Sequence, residues 1–320
     1  MPTSVRAYAK INLGLYLGPL RDDGFHELRT VYQTIDLYDT VRVAAASGMG
    51  IEIRSKHPQV PQDETNTCWR MAERVLKALK QRRKLVIQIE KNLPVQGGLG
   101  AGSSNAIATM LALERELGQS LTPEDRFAIA AEVGSDVPLF LVGGTVLGIG
   151  RGEQVLPLLD LPPMQLVLAT PNVAVSTPKA FADWDALITK EERSLTAAPS
   201  PSRIDVFSRA MSVWLAGSLS GVPVEDRDRA ETPLLDLVRA GIENDFERVV
   251  FPQYPELREV KRVLEREGAK YASLSGSGST LYGIFEAGAE KAVAALKANG
   301  VDAQLARTLN RAEYWRSVRE

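Results

Sequence analysis

The stretch Gly97-Gly98-Leu99-Gly100-Ala101-Gly102-Ser103-Ser104 constrains this chain more than any other. A strand-like run, Leu85 to Ile89, precedes it, and a helical pattern from about Ser103 to the stop at Gly118 follows. A glycine-rich link between a strand and a helix gathers unpaired amide N–H groups at the positive end of the helix dipole, where an anion is held. The four glycines let the backbone approach phosphate oxygens, and the two serines add hydroxyl donors or a Mg2+ ligand. The loop has neither the Gly-Lys-Ser/Thr ending of a P-loop nor the Gly-x-Gly-x-x-Gly of a dinucleotide site. It reads as a triphosphate loop of another kind, against the plainer alternative of a tight turn without ligand.

The 320 residues exceed what one core usually serves, so two domains are expected. Lys plus Arg number 38 and Asp plus Glu 40, a net charge of −2 that offers no bulk attraction to nucleic acid or an anionic membrane. The single cysteine, Cys68, excludes an intramolecular disulfide, and His26 and His57 are too few for a zinc site. A reducing cytoplasm is expected, with Mg2+ as any metal. The uncharged run from Leu161 to Pro178 is broken by Pro162, Pro163 and Pro171, so no membrane helix is expected. Asn12, Gly14, Gly18 and Pro19 likewise make Ile11 to Leu20 a strand rather than a signal peptide.

The remaining pattern is α+β, in two domains at 1–158 and 159–320, with Leu156 to Pro163 as the crossing. Strands are expected at Ile11–Leu17, Thr40–Val43, Leu281–Phe285 and Val301–Leu305, and helices at Asn66–Lys80, Pro255–Gly268 and Ala289–Ala298. Thr122, Pro123 and Gly134 punctuate a further helix, and Val137 to Ile149 reads as a buried strand pair turning at Gly143-Gly144. Ala106, Met110, Leu113 and Leu117 should form the buried stripe of the helix after the loop. Residues Ala197 to Arg203 read as a surface loop.

Pro94-Val95-Gln96 followed by the glycine loop resembles the phosphate loop of the GHMP kinases. Ala7-Tyr8-Ala9-Lys10-Ile11-Asn12-Leu13 and Ser275-Gly276-Ser277-Gly278-Ser279 resemble that family's other two motifs, in the same order. Asp23 to Leu28, Asp36 to Asp39 and Gly134 to Phe140 are similar to one branch of it, whose acceptor is a cytidylyl-linked methylerythritol phosphorylated on its 2-hydroxyl. The resemblance implies a ribosomal-S5-domain-2-like N-terminal domain, a ferredoxin-like C-terminal domain, and ATP and a small cytidylyl substrate in the cleft between them. Phe25 departs from the branch, which more usually carries tyrosine there. Other readings are a homoserine- or mevalonate-type kinase, or a non-catalytic binding protein of the same fold.

By that resemblance Asp136 is the candidate base and Lys10 its cationic partner, although by position alone they read as a turn residue and an edge residue. Pro94, Gly97, Gly98, Leu99, Gly100, Ala101, Gly102, Ser103 and Ser104 would hold ATP, with Mg2+ arriving on the nucleotide and Ser104 as the candidate protein ligand. Asn66 would lie near the adenine, or merely cap the helix it opens. Asn12 would hold the substrate diol, and Phe25, His26 and Tyr32 the cytidine, with core packing as the alternative for the aromatics. Thr177 and Phe181 would form a second wall of that site, and the Ser275 to Ser279 turn, with Ser275 and Gly276, would close over the phosphates or the acceptor, or merely be a hairpin turn before the strand Leu281 to Phe285.

Overall fold

The computed structural model describes residues 2–95, 97–194, 202–219 and 242–319; the loop expected at 197–203 lies outside them except for its last two residues. Two sheets carry the fold. The first holds β1 (Thr3–Leu20), β2 (His26–Ala46), β3 (Gly50–Ser55), β4 (Lys84–Glu90), β5 (Thr145–Ile149) and β6 (Gln154–Pro157), in the order β3-β4-β2-β5-β6 with β1 on the other edge of β2. The second is the antiparallel set β7 (Gln165–Thr170), β8 (Tyr271–Leu274), β9 (Leu281–Phe285) and β10 (Asp302–Arg307), ordered β10-β7-β9-β8.

Against the first sheet pack α1 (Thr67–Ala78), α2 (Ala101–Leu117) and α3 (Pro123–Val133). Asn66 caps α1 by accepting from the Cys68 amide, Thr122 caps α3 by accepting from the Asp125 amide, and Pro123 stands in the first turn, as the sequence requires. The second sheet is covered by α4 (Thr177–Ser194), α6 (Glu247–Gln253), α7 (Pro255–Arg266) and α8 (Ala289–Ala298). Between α4 and α6 runs α5 (Arg203–Leu219), whose Phe207 and Met211 enter the core between the sheets.

Strand alternation explains how the sheets join. On β7, Val167 and Ala169 face the helices, whereas Leu166 and Leu168 face β1 and β2. On β9, Leu281 and Phe285 go one way, and Tyr282 and Ile284 the other. Ala9, Ile11, Leu13, Val31 and Ile35 meet them, so an apolar layer welds the two sheets. After β10 the chain returns: α9 (Arg311–Arg319) buries Tyr314 and Val318 on the first sheet.

Several expectations change. The helix after the glycine loop begins at Ala101, with Gly100 at φ +68° as its left-handed cap, rather than at Ser103. Its buried side is no stripe, because every residue from Ser104 to Glu114 is buried, while Leu117 is only partly so. Val137 to Ile149 is not a strand pair. Pro138–Leu141 is a 3-10 helix pinned by Tyr314 Oη donating to the Phe140 carbonyl, and only Thr145–Ile149 is extended. Leu156 and Pro157 end β6 instead of opening the crossing, and the strand expected at Val301–Leu305 lies one to two residues later.

Candidate active site

Lys10 and Asn12 sit between two breaks in the β1–β2 register, one after Tyr8 and one before Gly14. Such bulges re-aim side chains. The Lys10 ammonium is buried and its three N–H donors face Asn12 Oδ1 at 2.6 Å, the Gly98 carbonyl at 2.9 Å and Asp136 Oδ2 at 3.3 Å. It is thus no solvated edge lysine. Asn12 in turn donates to Thr30 Oγ1. Asp136, in the turn after α3, keeps its side chain one-third exposed at 33%, and its Oδ1 accepts from Tyr32 Oη at 2.9 Å.

The glycine loop is clamped against the turn at Ser275–Ser279. Gly98 offers its carbonyl to both Lys10 Nζ and Ser275 Oγ, and the Thr280 amide donates to the Gly97 carbonyl. A Cβ on Gly98, at φ +77°, would lie 2.0 Å from the Ser275 carbonyl oxygen, which is why glycine stands there. Asn244 fixes the turn from behind, donating to the Leu274 and Gly276 carbonyls. From below, the buried Asp39 accepts from Lys91 Nζ, the Asn92 and Leu93 amides and Asn105 Nδ2, tying the segment before Pro94 to α2. Desolvation holds the Lys91 ammonium below its ordinary value despite that partner.

Two clefts meet at Gly98 and Gly100. One, of about 370 Å³, runs along the loop from Pro94 to Ser103 and past Asn66, with Gln59 to Pro61 as a wall. Ser103 lines it, while Ser104 is buried one position behind. The other, of about 300 Å³, holds Lys10, Asn12, Asp136, Phe25, His26, Phe181 and Gly276. A larger depression of about 770 Å³ lies on the solvated side of β3 and β4, away from the Lys10–Asp136 pair.

Phe25, His26, Tyr32 and Phe181 all line the second cleft, each in a different setting. Phe25 is 48% exposed, with the Arg151 guanidinium 4.7 Å over its ring. The His26 imidazole stacks on Phe181 at 5.2 Å, its Nδ1 facing the Gly18 carbonyl and its Nε2 facing Asp185 at 3.2 Å. Tyr32 is only 1% accessible and forms part of the cleft wall, its hydroxyl turned to Asp136. Thr177, opening α4, shares a hydrogen bond with Ser277. Arg151 escaped the sequence reading, although a cation between Gly150 and Gly152 at a strand end is a turn signal that could have exposed it.

Comparison with known proteins agrees with this architecture. Residues 66–144 match the model of the GHMP kinases N terminal domain and residues 230–302 that of the GHMP kinases C terminal domain. A 4-diphosphocytidyl-2-C-methyl-D-erythritol kinase from Solibacter usitatus is 38% identical, covering 88% of this chain and 80% of that protein. One from Nocardia farcinica is 36% identical over 96% and 93% of the two chains. A crystal structure of 4-(cytidine 5'-diphospho)-2C-methyl-D-erythritol kinase superposes with a TM-score of 0.71 at 29% identity, covering 95% of this chain and 98% of that one. A homoserine kinase from Cytophaga hutchinsonii shares the fold at 20% identity and a TM-score of 0.68, over 97% of this chain and 96% of that one. With both halves of the fold matched and such relatives aligned over most of their length, the chain belongs to the 4-diphosphocytidyl-2-C-methyl-D-erythritol kinase family of the GHMP kinases.

Proposed function

We propose that the chain transfers the γ-phosphoryl group of ATP to the 2-hydroxyl of 4-diphosphocytidyl-2-C-methyl-D-erythritol, a step toward isoprenoid precursors. The observation that carries this reading is the meeting of two clefts at Gly98 and Gly100, with the Lys10–Asp136 pair on the acceptor side. The triphosphate lies along the loop, its terminal phosphate toward Lys10, and the acceptor hydroxyl lies against Asp136. Asp136 takes the hydroxyl proton as the oxygen attacks the γ-phosphorus, the bond from that phosphorus to the β-phosphate oxygen breaks and ADP leaves, and Lys10, already oriented by Gly98 and Asn12, offsets the charge that develops on the transferring group.

Among the described residues no three or more His, Cys, Asp and Glu side chains gather as a cage. The Ser103 side of the loop, with hydroxyls rather than carboxylates, suits a Mg2+ that arrives on the triphosphate and keeps most of its waters. That ion would neutralise phosphate oxygens and hold them in line.

The cytidine half of the acceptor fits the Phe25, His26 and Phe181 end of its cleft. Its diphosphate carries negative charge into a pocket where Lys10 serves the transferring phosphoryl group, and Arg151, itself 3.8 Å from Glu153, supplies a further cation. Residues 1–158 then serve as the nucleotide-binding domain and 159–320 as the domain that closes the acceptor side. No described helix is long and apolar enough to cross a membrane, and we place the reaction in the cytoplasm.

The test is ATP consumption with the cytidylyl acceptor, free methylerythritol, homoserine and mevalonate. Turnover should be confined to the cytidylyl acceptor. In folded Asp136→Asn it should fall by about 10²–10⁴-fold, the usual contribution of a general base. Equal efficiency on truncated and full acceptors would overturn the cytidine assignment, and near-native turnover in Asp136→Asn would overturn the assignment of the base.

A further inference from the structure

Tyr32 lies mid-strand in β2, paired to Asn12 on one side and Val146 on the other, so its backbone is among the most constrained in the first sheet. Its ring is enclosed by glycines. A Cβ on Gly148 would come 2.5 Å from Tyr32 Cε2, and a Cβ on Gly152, at φ +100°, would come 2.5 Å from the hydroxyl. The one polar group of this side chain is thereby aimed at Asp136 Oδ1, 2.9 Å away. Asp136 itself stands in a short turn, which restrains a side chain far less than a sheet does.

We propose that Tyr32 is a positioning residue for Asp136: its buried hydroxyl holds Oδ1 and so presents Oδ2 to Lys10 and to the acceptor hydroxyl. The proposal rests on reading Asp136 as the base. The two carboxylate oxygens have different duties in this arrangement. Oδ1 is anchored to the sheet and Oδ2 is shared with the ammonium 3.3 Å away. Burial, with the adjacent Asp136 charge, pushes the Tyr32 phenol well above its usual value, so it remains a hydrogen-bond donor wherever the enzyme works. The ring is 1% accessible and stands in the wall of the acceptor cleft, so its hydroxyl works from a fixed position. Gly150-Arg151-Gly152 acquires a second purpose, since only a residue without Cβ at 152 leaves the hydroxyl its place.

The experiment is a mutant cycle of Tyr32→Phe and Asp136→Asn, read by steady-state and single-turnover kinetics, with thermal melts as the folding control. Tyr32→Phe keeps the ring and removes only the anchor. A misplacement of about 1 Å at a reacting group costs roughly a hundredfold, so kcat should fall about ten- to hundredfold while the acceptor KM stays within about twofold. In the Asp136→Asn background the same change should cost almost nothing more, because it acts through the missing carboxylate. Gly152→Ala, which displaces the hydroxyl while keeping the tyrosine, should reproduce the kcat loss and serves if Tyr32→Phe fails to fold. A raised KM with native kcat, two native parameters, or losses that multiply through the cycle would each overturn the proposal. A native rate in Asp136→Asn alone would instead remove the base, and the positioning role with it.

Discussion

The contact between the two glycine-rich segments can be tested with two alanines four residues apart, one in the loop and one in the first turn of α2. In Gly98→Ala the new Cβ must occupy φ +77° and lies 2.0 Å from the Ser275 carbonyl oxygen and 3.2 Å from that of Gly278, all backbone atoms with no flexible end to yield. The left-handed conformation costs about 1–2 kcal/mol in a residue with a Cβ, and forcing apart packed groups typically another 1–3 kcal/mol. The sum, about 2–5 kcal/mol, corresponds to a loss in Tm on the order of 10 °C for a domain of this size. The clamp opens as well, since Gly98 carries the carbonyl that holds Lys10 and Ser275. In Gly102→Ala the nearest atom to the Cβ is Thr67 Oγ1 at 3.5 Å, an ordinary contact within the first turn of α2. Helix propensity favours alanine there by up to about 1 kcal/mol, so Tm should hold or rise. Because Gly102 lines the proposed nucleotide cleft, its methyl should nevertheless weaken ATP. Differential scanning fluorimetry gives the two Tm values, and titration calorimetry with a non-hydrolysable ATP analogue the affinities. Equal Tm losses in the two variants would refute the packing argument. An unchanged affinity in Gly102→Ala would return the loop to a turn that binds nothing.

Other changes separate support from contact. Asp39→Ala strands the buried Lys91 ammonium and three further donors, and should cost about 3–5 kcal/mol in chemical denaturation; a loss below about 1 kcal/mol would show that water replaces the carboxylate. Phe25→Ala should leave Tm unchanged, because the ring is half exposed, and raise the acceptor KM about five- to hundredfold from a lost stack of about 1–3 kcal/mol; an unchanged KM would remove Phe25 from the acceptor site. Burial raises the phenols of Tyr16, Tyr32, Tyr271, Tyr282 and Tyr314 above the ordinary value of 10.0, Tyr16 to about 12. The native state then keeps protons that the unfolded chain has lost, so stability is intact below pH 10 and falls above it by up to about 1.4 kcal/mol per pH unit per tyrosine. Urea titrations from about pH 9 to about pH 12 should show that decline, and a flat profile would contradict it.

Local chemistry was legible in the sequence because it needs only neighbours. Asn66 and Thr122 cap the helices they precede, Pro123 begins one, and Gly97 to Gly100 end the link from β4 to α2. Resemblance to the GHMP kinases, and no local pattern, grouped Lys10 with Asp136 and Phe25 with His26 and Phe181, and the fold brings each group together. Tertiary structure alone decided the rest. Helix α2 shows no stripe because other elements enclose it on every side, which erases the amphipathic period. Pro138 to Leu141 coils although it reads as a strand, since Pro138 has no N–H for a ladder and Tyr314, far along the chain, takes the Phe140 carbonyl. Tyr32 reads as a binding aromatic in sequence, and the fold buries it in the cleft wall with its hydroxyl donating to Asp136 Oδ1. The direction of its hydroxyl depends on Gly148, Gly152 and Asp136 meeting across three segments, and no local pattern encodes such a meeting.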